Sequence, residues 1–182
     1  MAEERQDNKI ARGDAKNKCI DFSDALQVIG KISIGLTDYG VEPSKYCRFN
    51  LDPDEALVLA HDALNDMFPT DPKTGRRQFG PLYKGSERDG AVQSRILEVE
   101  FDDGAKGRNV GYHIRIANGP GIKSSTGAVM PDKTRTDQLA KTEIFLTRDA
   151  FRKMMAAVQA RVLAHEVVDV VRQFAKNQSG TS

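Results

Sequence analysis

The strongest constraint on the fold is a pattern written twice. At Leu51-Asp52-Pro53 the apolar period changes from 2 to 3.6, and it changes the same way at Leu146-Thr147-Arg148. Each site reads as a strand running through a side-chain cap into a helix. Asp52 is a favoured N-cap, Pro53 suits the first helical position, and Asp54 and Glu55 place anions where the helix dipole favours them. Counted from either cap, the same offsets are apolar: Ala56, Ala60, Ala63 and Met67 in the first helix, Phe151, Met155, Val158 and Val162 in the second. Such single-sided helices need a sheet to cover. The expectation is an α+β fold, a duplicated strands-then-helix unit with curved antiparallel sheets backed by helices.

Upstream of each helix, strand patterns supply the sheets. Residues 31–40 alternate Ile32, Ile34 and Leu36 with small or polar neighbours, and 46–51 put Cys47, Phe49 and Leu51 on one face. In the second half, 94–101 lead through a hairpin-like turn at 102–107 into 111–117, with a short strand at 143–146 before the helix from Arg148 to about Lys176. The first helix is expected to stop near Met67, ahead of Pro69. Residues 1–18 are polar and read as a flexible tail, as do 177–182. Residues 69–90 and 118–141, rich in Gly, Pro and basic side chains, read as a long loop and a mobile connection. Residues 19–176 then make a single α+β domain with an internal repeat over 31–68 and 94–165.

Composition fits a chain that folds in water, with 39% hydrophobic and 29% charged residues and no apolar run near the roughly 20 needed to span a bilayer. The opening residues lack the apolar stretch of a secretory signal, so the expected location is cytoplasmic, with no membrane partner. Only Cys19 and Cys47 are present, which excludes a disulfide framework or a four-cysteine zinc site. The net charge of +1 hides an asymmetry. Residues 1–72 carry 8 Lys and Arg against 14 Asp and Glu, and residues 73–176 carry 19 against 12. The later part is the better partner for phosphate.

An antiparallel sheet covered on one face leaves the other free for a ligand. Strand parity puts Lys31, Ser33, Thr37, Tyr39, Tyr46 and Arg48 on the free face of the first unit, and His113, Arg115 and Phe145 on that of the second. The 69–90 loop adds Arg76, Arg77 and Tyr83. Cations interleaved with rings are what single-stranded nucleic acid requires, because phosphates seek charge and unpaired bases stack.

The stretch Tyr112-His-Ile-Arg-Ile-Ala-Asn-Gly-Pro-Gly121, followed by Lys141-Thr-Glu-Ile-Phe-Leu-Thr-Arg-Asp-Ala-Phe-Arg-Lys-Met-Met155, resembles the unit of the single-stranded DNA-binding coactivators of the positive cofactor four type and their bacterial relatives. Its doubled form is similar to the plant Whirly proteins and the purine-rich-element-binding proteins. The resemblance covers residues 31–68 and 94–165. It implies curved sheets backed by helices, sequence-tolerant binding of single strands, and assembly into a homodimer or higher oligomer.

Chemistry-bearing motifs do not accompany this pattern. His61, His113 and His165 form no metal-ligand spacing, Asn118-Gly-Pro-Gly121 is not a phosphate-cradling motif, and Glu98 and Glu100 share a strand face without a nucleophile. The reading is therefore a protein without catalytic residues, metal or cofactor that binds single-stranded DNA or RNA, with roles in transcription, replication or recombination. The alternative is a protein-interaction or structural module of phage or mobile-element type.

Overall fold

The computed structural model describes residues 8–88, 90–104 and 109–179. Its first half runs β1 (Lys9–Ala15), β2 (Lys18–Ala25), a one-turn α1 (Leu26–Ile29), β3 (Lys31–Asp38), β4 (Lys45–Leu51) and α2 (Pro53–Asn65). The second half runs β5 (Arg77–Arg88), β6 (Ala91–Asp102), β7 (Gly111–Lys123), β8 (Val129–Pro131), a 3-10 turn at Thr136–Gln138, β9 (Ala140–Thr147) and α3 (Arg148–Ser179). The first sheet has the order β1-β2-β3-β4. The second has β5-β6-β7, with β9 on the near part of β7 and β8 on its far end. All pairings are antiparallel. The architecture is α+β, with two curved antiparallel sheets backed by helices.

Several sequence expectations need correction. Residues 9–18 are not tail: they form β1 and open β2, so the first unit has four strands rather than two, and residues 1–7 lie outside the described residues. β1 escapes a hydrophobicity search because its apolar side chains, Ile10, Ala11 and Ala15, are few and only partly buried against the core, and its closest packing is by backbone. A Cβ on Gly13 would stand 2.8 Å from the Met154 sulfur and 2.9 Å from Leu146 Cδ1. The expected 69–90 loop is largely β5, an edge strand that tolerates Pro81 because its register slips between Phe79 and Leu82.

The 118–141 connection is also structured. β7 continues to Lys123, and β8 folds back over the sheet, where Gly85 and Gly121 give Val129 room to approach. At the C-terminus α3 extends to Ser179, and 180–182 lie outside the described residues. Part of the expected turn at 102–107, residues 105–107, lies outside them as well.

Both caps are in place. Glu55 Oε2 accepts the Asp52 N–H at 2.8 Å, and Thr147 Oγ1 accepts the Ala150 N–H at 3.4 Å. The α2 helix ends at Asn65, two residues before Met67, and its C-cap Asp66 has a left-handed φ of 52°. One hydrophobic core then draws on both halves. Ile32, Ile34 and Phe49 from the first sheet and Leu97, Ile114 and Ile144 from the second lie in it under α2 and α3. At the seam between the halves, the Asp52 carboxylate accepts hydrogen bonds from Lys31 of β3 and Lys84 of β5, which hold its pKa at about 2. Lys84 also reaches Glu55 at 2.5 Å.

Candidate nucleic-acid interface

Strand alternation sends Ile32, Ile34, Leu36, Cys47, Phe49 and Leu51 into the core and leaves a polar outer face on the first sheet. There Thr37 stands opposite Tyr46, and Gly35 opposite Arg48. Tyr46, 58% exposed, lies across the glycine: a Cβ on Gly35 would be 2.9 Å from the phenol oxygen. Arg48 Nε donates to Ser33 Oγ at 2.7 Å. Lys31 is on this face but committed to Asp52, and Tyr39 sits exposed just past the end of β3.

The second sheet's outer face is organised in rows across its strands. One row is Tyr83, Ile96, Ala117 and Lys141; the next is Glu98, Arg115 and Glu143; the third is Glu100, His113 and Phe145. The His113 and Phe145 rings are tilted with centroids 4.8 Å apart. Arg115 is enclosed by carboxylates, with contacts of 3.5 Å to Glu98, 3.1 Å to Glu100 and 3.2 Å to Glu143. Burial works against its charge, and these acids outweigh it, so the guanidinium pKa is raised. Arg76 reaches the same Glu100 at 3.2 Å.

Arg77 does not join this face. Its guanidinium lies 4.8 Å from the Phe101 ring centroid and donates to the Asp66 carbonyl, which makes it a brace between β5 and the end of α2.

A groove of about 630 Å³ joins the sheets. Its floor is the row Tyr83, Ile96, Ala117 and Lys141, with Glu98, Arg115 and Glu143 alongside. Lys18, Asp38 and Lys45 of the first sheet also line it. Those three are paired neighbours one step beyond Ile20, Leu36 and Cys47, where the inner face of the first sheet runs out past the core. Cys47 Sγ donates to the Ala140 carbonyl at 3.3 Å, which seats β4 against the start of β9 and so fixes this wall beside the floor.

Charge inside the groove is mostly self-compensated. Lys18 pairs with Asp38 at 3.4 Å, and Arg115 with its glutamates. Lys45 and Lys141 are exposed and make no ion pair among the described residues. They are the uncommitted cations of the groove, and Tyr83, 45% exposed, stands at the other end of the floor row from Lys141, with Ile96 and Ala117 between.

The sequence reading placed His113, Arg115 and Phe145 on one face and Tyr46 and Arg48 on another; Tyr83, expected in a loop, joins the first of these faces through β5. Lys18, Lys45 and Lys141 were missed. Lys18 fell in the assumed tail and Lys141 at the end of an assumed mobile connection. Lys45 is on the inner-face parity, which for a strand end outside the core means solvent.

Among the described residues, no helix is long and apolar enough to cross a membrane, and no group of His, Cys, Asp or Glu is arranged to hold a metal. No family model, curated protein or solved structure matches the chain.

Proposed function

We propose that this protein binds single-stranded nucleic acid without catalysis, with the groove between the sheets as the primary contact. The observation that carries the reading is the placement of an exposed ring, Tyr83, on the same groove floor as Lys141, with Lys45 on the facing wall. A strand laid across the floor with one base stacked on Tyr83 carries its further phosphates toward the two uncommitted lysines. Glu98 and Glu143 keep the groove from being a uniformly cationic surface, so stacking takes a larger share of the affinity than it would on a basic patch.

The doubled unit of four principal strands and a helix supports the same reading, because it is the element order that the resemblance to positive cofactor four and Whirly proteins implies. Tyr46 and Arg48, on the outer face of the first sheet, offer a secondary stacking and phosphate surface for a longer strand. Cys19 and Cys47 are both buried free thiols, which suits a reducing compartment such as the cytoplasm.

Tyr83→Ala tests the reading. Loss of one stacked base is worth roughly 1–3 kcal/mol, so the dissociation constant for a fluorescent single-stranded oligonucleotide rises by about 5- to 150-fold in anisotropy titrations. The melting temperature stays close to that of the parent, since the ring is half exposed. Parent-like affinity in a folded Tyr83→Ala protein removes the groove as the site.

A further inference from the structure

We infer that Arg115 is a latent phosphate contact of the groove, held out of use by Glu98, Glu100 and Glu143, which occupy its guanidinium as a phosphate would. The inference rests on the proposed binding of single strands and names an autoinhibitory contact that limits it. Arg115 lines the groove between two acids of its own row, because Glu98 of β6 and Glu143 of β9 are its register partners. Glu100, the next residue on that face of β6, closes in from the adjoining row. The Arg115 Nε donates to Glu143 Oε2 at 3.2 Å and Nη1 donates to Glu100 Oε2 at 3.1 Å. Glu98 Oε2 lies 3.5 Å from the same Nη1.

A carboxylate and a phosphate offer a guanidinium the same paired oxygens. These carboxylates are tethered on the neighbouring strands, which gives them a high effective concentration, so an incoming phosphate has to displace one of them. The surrounding charge opposes that exchange. Arg76 is the second cation of the cluster, 3.2 Å from Glu100, so three carboxylates face two guanidiniums and leave one negative charge among the described residues. Glu143 brings that charge to within two residues of Lys141 on the same strand face. The cluster therefore repels phosphate beside the lysine that attracts it. Partial burial of Arg115 keeps salt from screening these contacts as fully as it screens an exposed lysine.

Anisotropy titrations with a fluorescent single-stranded DNA oligonucleotide over a range of salt concentrations test the inference. The variant carrying Glu98→Gln and Glu143→Gln leaves one carboxylate facing two guanidiniums and keeps Glu100 to hold both arginines. It binds about tenfold more tightly than the parent at low salt, and its log-log salt slope steepens by about 0.7, one phosphate gained. Glu143→Gln alone, a change at an exposed side chain, shifts both in the same direction. Arg115→Gln alone leaves the parent slope unchanged, and added to the double variant it returns the slope and affinity to those of the parent. Three results overturn the inference while the groove remains a binding site: an unchanged slope in the folded double variant, a gain that persists without Arg115, or a slope already flattened by Arg115→Gln alone. Absence of strand binding by the parent and by every variant removes the groove as the site, and this inference with it.

Discussion

Tyr112→Ala is expected to lower the free energy of unfolding by about 3–5 kcal/mol, the cost of truncating a fully buried aromatic side chain. Tyr112 of β7 has no exposed surface, and its ring centroid lies 4.6 Å from Phe151, 5.1 Å from Phe101 and 5.4 Å from Phe68. Its hydroxyl donates to the Ala63 carbonyl at 2.9 Å and contacts Asp66 Oδ1 at 3.0 Å. It therefore caps the end of α2, where helix carbonyls lack partners, from a strand of the other half. Burial, together with the neighbouring Asp66 carboxylate, pushes the phenol pKa above its ordinary value, so the group stays a neutral donor.

Tyr112→Phe separates the ring from the hydroxyl. It keeps the packing and deletes one capping donor, at a cost of about 1 kcal/mol. Urea unfolding followed by circular dichroism measures both. Equal losses in the two variants contradict the view that packing of this ring joins the halves.

Reversing the two uncommitted lysines of the groove, Lys45→Glu with Lys141→Glu, is expected to weaken single-strand binding by about a hundredfold at low salt, roughly tenfold for each reversed charge. The dependence on salt carries the sharper signature. Each phosphate contact contributes about 0.7 to the log-log slope for single strands, so the double variant loses about 1.4 from it. Stability changes little, because both side chains are exposed and neither is in an ion pair among the described residues. An unchanged slope with an intact fold means that these lysines do not meet phosphate.

The parts of the fold that were legible are those where side chains do the packing. The doubled cap, the helix stripes, and the alternation in β3, β4, β6 and β7 all write burial into residue type. β1 could not be read that way, since Ile10, Ala11 and Ala15 are only partly buried and its closest contact is a glycine backbone pressed on Met154 and Leu146. Nor could β5, whose Pro81 and Gly85 argue against a strand until the register slip at Phe79 and the approach of Val129 are known.

The candidate site shows the same division. Parity correctly assigned Arg115 to an outer face. It was blind to the three glutamates that converge on that arginine from the strands on either side of it, Glu98 and Glu100 from β6 and Glu143 from β9. Lys18 and Lys45 became visible only when the inner row of one sheet was seen to run out beside the outer face of the other.

The most direct measurement is an anisotropy titration of the unmodified protein with a fluorescent single-stranded oligonucleotide at two salt concentrations, with unlabelled single strand and duplex as competitors. The account predicts saturable binding that weakens steeply at the higher salt and is displaced by single strand far better than by duplex. Absence of binding to both DNA and RNA single strands at low salt contradicts it, and the groove would then have to be read as a docking surface for another protein.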